Sequence, residues 1–153
     1  MILRIQKRLV DLQRLSSLGP RKVSYRAVNT IHHSDIVIVK KSKFQSSIAT
    51  IKDKQDMDTI LKQIHSDKLY SKATHQIHAF RYKNQNGNII QGFDNDGETG
   101  AGSSLLRMLE LSNTLDVVVI VTRWYGGVKI GPERFRIINN VAMSLLKKHG
   151  FMK

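Results

Sequence analysis

The chain has 153 residues, enough for one domain that buries roughly 70% of its unfolded surface without a covalent staple. Twenty-five Lys and Arg against 12 Asp and Glu give a net charge of +13 and a pI near 10.2, which points to polyanionic or acidic partners. The absence of cysteine excludes disulfides, thiolate metal sites and thiol nucleophiles, and no apolar run approaches the roughly 20 residues of a membrane-spanning helix.

The first 34 residues differ from the rest. Seven of the 25 basic residues (Arg4, Lys7, Arg8, Arg14, Arg21, Lys22, Arg26) and one of the 12 acids, Asp11, fall before Asn29, while Ile2, Ile5, Leu9 and Leu12 recur at helical spacing. Residues 1–34 are therefore set apart as a basic amphipathic segment and 35–153 as the domain proper. The segment fits a basic arm or a helix packed on the domain, with a mitochondrial presequence (residues 1–30) as the alternative, and is broken at Gly19-Pro20. A cytoplasmic location is expected, or a mitochondrial one under the presequence reading. The remainder still holds 18 basic and 11 acidic residues, an excess of +7, so basic character is not confined to the start.

From Ile36 the pattern is that of a compact α+β domain. Ile36 to Val39 predicts a short strand, Lys40 to Lys43 a polar turn, and Phe44 to Ile51 a second strand. Met57, Ile60, Leu61 and Ile64 recur at i, i+3, i+4 and i+7, which predicts a helix over about 55–66 with Asp53 as its cap. Ile77 to Lys83 and Asn88 to Phe93 read as strands joined by Asn84-Gln85-Asn86-Gly87. Leu105, Leu106, Met108 and Leu109 give a short helix starting among Gly100, Gly102 and Ser103. Val117 to Val121 is an unbroken β-branched run suited to a strand covered on both faces, the centre of the sheet. In the last helix Pro132 suits the first turn, Phe135, Ile138, Ala142 and Leu145 form the stripe, Lys147, Lys148 and His149 oppose the dipole, and Gly150 ends it. This order predicts a two-layer sandwich: a mixed β-sheet with its helices on one face.

The candidate site lies where the central strand leaves the sheet. Arg123, Trp124, Tyr125, Gly126 and Gly127, then Lys129, Arg134 and Arg136, place cations, rings and glycines between a strand and a helix start. Such an edge can gather donors around an anion or anchor a macromolecule through its aromatics. The plainer account is that Trp124 and Tyr125 cover the end of the core while the cations form a solvated rim. The expectation is that Arg123, Lys129, Arg134 and Arg136 form one accessible basic edge with at least one of the two rings partly exposed.

Other chemistry is weaker. Asp94, Asp96 and Glu98 alternate like ligands of a hard cation, yet a short acidic turn capping the next helix explains them as well. Their charge also argues against phosphate at Gly97, Gly100 and Gly102. His75 and His78, three apart on a strand, face opposite ways. Ser103 and Ser104 lack a recognisable base and orienting group. No catalytic residue, metal or cofactor is expected.

The same stretches carry a resemblance. DNDGETGAGSSLLRMLE (Asp94 to Glu110) and VVVIVTRWYGGVKIGPERFRIINNVA (Val117 to Ala142), with VKKSKF (Val39 to Phe44) and ATHQIHAFRY (Ala73 to Tyr82), resemble the signature of the IMPACT family over about Ile36 to Lys148. RWYGG followed by GPERF is closer to the eukaryotic form; the bacterial YigZ-type proteins tend to have RYFGG and a GTGGL-like turn. The resemblance implies a fold like the second domain of the small-subunit ribosomal protein S-five, with a left-handed crossover. It also implies a non-catalytic regulator associated with translation. Eukaryotic members act in the amino-acid-starvation kinase pathway by binding the kinase's ribosome-associated activator. They usually make that contact through an N-terminal RWD domain, for which the stretch before Ile36 is too short. A protein or ribosome partner is therefore expected, direct RNA binding is the alternative, and oligomeric state is left open.

Overall fold

The computed structural model describes residues 29–153, so the helical spacing read between Ile2 and Leu12 lies outside the described residues. Six strands and three helices follow in the order β1 (His32–His33), β2 (Val37–Val39), β3 (Ser42–Thr50), α1 (Lys54–Ser66), β4 (His75–Lys83), β5 (Ile89–Asp94), α2 (Ala101–Leu111), β6 (Val117–Trp124) and α3 (Glu133–Lys148). Each helix and strand expected from Ile36 onward is present. β1 is additional: two residues are too few for alternation to show in a sequence, yet His32 and His33 pair with Ile48 and Ser47. Among the described residues no helix is long and apolar enough to cross a membrane.

The strand order is β1-β3-β6-β4-β5, with β2 also pairing β3. β6 is thus the centre, as its β-branched run required. The α+β class holds, with two revisions of detail. Every neighbouring pair is antiparallel, so the sheet is not mixed. The helices also cover both faces. Val118 and Ile120 pack with Met57, Ile60 and Ile64 of α1, while Val117, Val119 and Val121 pack with Leu105 and Leu109 of α2 and Ile138 and Leu145 of α3. A strand that is apolar on both sides needs a cover on both, and a single layer of helices cannot supply it.

The topology carries a further consequence. β3 and β4 both run antiparallel to β6 between them, so α1 links two parallel strands across an intervening one. β5 and β6 are likewise parallel across β4, and α2 links them. Viewed with the leading strand pointing up, both crossovers step to the same side, yet α1 and α2 lie on opposite faces. The two crossovers therefore have opposite hands, and one is the left-handed connection that is rare in proteins generally.

Local chemistry fixes the ends of the helices. Asp53 accepts from the Asp56 backbone N–H at 2.9 Å, capping α1 as its position predicts. Asp53→Ala should lower the unfolding free energy by about 1 kcal/mol in a urea titration. At the end of α2 the buried Arg81 Nη1 donates to the carbonyl oxygens of Leu109 (3.2 Å) and Thr114 (3.1 Å), tying the helix end and the turn after it to β4.

Candidate functional site

β6 runs on through Trp124, three residues beyond the apolar run, and this decides the arrangement of the site. Alternation sends Arg123 to the α2/α3 face and Trp124 to the α1 face. Arg123 pairs across the ladder with Phe44 and His75. Trp124 packs with the α1-side core, its ring 6.0 Å from that of Tyr70.

Arg123 is only 5% exposed, because Glu98, also 5% exposed, lies against it. Arg123 Nη1 donates to both Glu98 oxygens at 2.8 and 2.9 Å, and Arg134 Nε donates to Oε1 at 2.6 Å. His75 Nε2 stands 3.5 Å from Glu98 Oε2, while its Nδ1 donates to the Asp96 carbonyl oxygen at 2.7 Å. One buried carboxylate thus gathers a strand, a helix start and a neighbouring imidazole. The Arg123 guanidinium carbon sits 5.3 Å from the Phe44 ring centre and 5.6 Å from that of Tyr125.

Around this knot opens a cleft of about 410 Å³ lined by Thr74, His75, Glu98, Arg123, Tyr125, Lys129 and Arg134, among others. One carboxylate against the three cations Arg123, Lys129 and Arg134 leaves it net positive. Tyr125 forms its wall. Its backbone N–H donates to Thr74 Oγ1 at 2.9 Å, and the residue is 46% exposed. Tyr125 also borders a second hollow, of about 290 Å³, with Ile36, Lys41, Lys43, Leu69 and Trp124. Gly126 follows, pressed against the Lys41 backbone and donating its N–H to Ser42 Oγ at 3.3 Å. Gly127 takes a left-handed φ of 87° in open space.

The expected edge of four accessible cations is therefore not what forms. Arg123 is withdrawn into the ion pair, and Arg134 is half occupied by it. Arg136 points its guanidinium at Glu133 (2.7 Å) on the surface of α3, away from the cleft lining. Lys129 alone of the four is exposed and makes no ion pair within the described residues. Trp124 is half-buried and Tyr125 exposed. The sequence reading missed Glu98 as the partner, and Ile36, Leu69 and Thr74 as neighbours. The alternation of glutamate and aspartate in 94–98 was visible, but which carboxylate meets which arginine across 25 residues leaves no local trace. Asp94 and Asp96 do not join Glu98: their oxygens accept from the backbone N–H groups of Asp96 and Gln76 at 2.8 and 2.7 Å.

A profile of the Impact N-terminal domain matches residues 40–146. The chain is 37% identical over 124 residues to the Protein IMPACT homolog of Caenorhabditis elegans, covering 79% of this chain and 48% of that protein. It is 34% identical over 131 residues to human Protein IMPACT, covering 85% and 41%. Among solved structures it is similar to the two-domain translational regulator Yih1, with a TM-score of 0.56 and 33% identity over 77% of this chain and 46% of that one. A hypothetical protein superposes with a TM-score of 0.68 at 20% identity over 78% and 58%, a likeness of fold alone. The chain thus spans less than half the length of these curated relatives.

Proposed function

This chain belongs to the Impact N-terminal domain family, and on that footing we propose that it regulates translation by binding a protein or ribosome-associated partner, without catalysing a reaction. The likeness to a translational regulator supports the general role. The observation that carries the site is Tyr125, an exposed ring between a positive cleft and a hollow rimmed by the exposed Ile36 and Leu69. Aromatic anchors beside apolar and basic residues are what a protein interface uses. The partner surface we propose is acidic, meeting Lys129 and Arg134. The finer reading, taken from the family resemblance, is a cytoplasmic contact within the amino-acid-starvation kinase pathway.

RNA is the less favoured partner at this edge because Glu98 already neutralises much of the arginine charge there. Tagged full-length chain, purified from cytosol at low salt with and without nuclease, separates the two. A protein contact should survive nuclease and weaken about tenfold or more in Tyr125→Ala, whose fold the loss of an exposed ring leaves intact. Loss of all partners to nuclease, with a steep salt dependence, would assign RNA instead.

A further inference from the structure

The loop that delivers Glu98 to the cleft turns its other carboxylates toward the opposite face of the sheet. There a separate cavity of about 260 Å³ lies among the end of α1, the Tyr70–Ala73 turn and the β4–β5 pair. Asp94 and Asp96 are the only lining residues with a fixed charge, so this cavity is negative in a chain of net charge +13.

Its lining is rich in acceptors that the protein does not use. Asp94 Oδ1 accepts from Asp96 N and Asp96 Oδ2 from Gln76 N, which leaves the second oxygen of each carboxylate outside these bonds. Gln76 is 8% exposed, and its amide nitrogen donates to the Tyr70 carbonyl oxygen at 2.7 Å, which fixes the orientation of the amide. Its Oε1 is then buried with no hydrogen-bond partner. A buried acceptor left in that state is costly. His65 and His78 complete the lining. Burial, the largest cause, lowers the pKa of His78 against the opposing pull of Asp94 and Asp96, while His65 adds to the lowering. Its imidazole is therefore neutral near pH 7 and can itself accept.

The occupant this chemistry fits is an organic cation with several donors. Among the described residues no three ligating side chains converge on a point where a metal ion could sit. The acceptors belong instead to separate residues spread across the strand pair and the loop, which suits a flat guanidinium with five donors better than a compact, strongly hydrated ammonium. We propose that this cavity binds the guanidinium group of an arginine side chain presented by a partner peptide. The site is distinct from the Tyr125 edge, and neither proposal depends on the other.

The test is a titration of isotope-labelled full-length chain with Nα-acetyl-arginine amide, followed by NMR. Saturable shifts are expected at Gln76, His78, Asp94 and Asp96. They should be absent with Nα-acetyl-citrulline amide, which has nearly the same shape and no charge. Asp94→Asn keeps the oxygen that accepts from Asp96 N and should weaken binding about tenfold. Tyr125→Ala should leave the titration unchanged. Equal shifts with the citrulline probe, no saturation with the arginine probe, or an unaltered affinity in Asp94→Asn would overturn the proposal. Equal binding of Nα-acetyl-lysine amide or spermidine would overturn the guanidinium assignment.

Discussion

Glu98→Gln should lower the unfolding free energy by about 3 kcal/mol or more, a large share of what a domain of this size has. Glu98 and Arg123 are each 5% exposed, and both carboxylate oxygens are engaged by arginine Nη1. Glutamine has the same shape but turns an amide N–H₂ toward a guanidinium, leaving a buried positive charge without a counter-charge. That is the case in which breaking a buried pair is expensive, whatever the pair itself contributes. Arg134, partly exposed, loses less because water can screen it. The control is Glu98→Gln combined with Arg123→Met, which removes the orphaned charge and should recover much of the loss. Chemical denaturation of the parent and the two variants decides it, and a single variant within about 1 kcal/mol of the parent would sink the account.

Gly126→Ala is the second large effect, and it is steric. An added methyl would stand 2.0 Å from the Lys41 carbonyl oxygen and 2.2 Å from its carbon, both backbone atoms that no rotamer can move. The Lys40–Lys41 turn has little slack, since both residues already sit at left-handed φ values of 45° and 67°. Relief must separate the β2–β3 turn from the exit of β6, breaking the Gly126 bond to Ser42 and the Lys43–Trp124 pairing. We expect a loss at or beyond the upper end of the roughly 1–3 kcal/mol typical of overpacking. Gly127→Ala is the comparison: its methyl meets nothing within 4 Å, so only the left-handed backbone matters, at about 1 kcal/mol. Similar melting temperatures for the two variants would show that the contact at Gly126 yields easily.

What could be read in advance follows from the range of the forces involved. The stripe Met57, Ile60, Ile64 and the run Val117 to Val121 are local patterns, and both elements form where they were expected. The same β-branched run implied covers on both faces of β6, which is at odds with a single helical layer; the structure resolves the conflict by placing α1 opposite α2 and α3. The site was less legible. The cations after Val121 were visible, but the strand continues through Trp124, and one extra pair of residues sends Arg123 and Trp124 to opposite faces. Burial of Arg123 then depends on Glu98, whose approach is a tertiary event with no periodic signature.

The imidazole of His32, on β1, stacks on that of His149 at the end of α3, with ring centres 3.9 Å apart. Chain entering the domain and chain leaving it therefore meet at one corner, beyond the reach of any ordering by sequence distance. A short peptide could join these two points with the sheet intact, so new termini opened at the Asn84–Asn88 turn would be compatible with the same architecture.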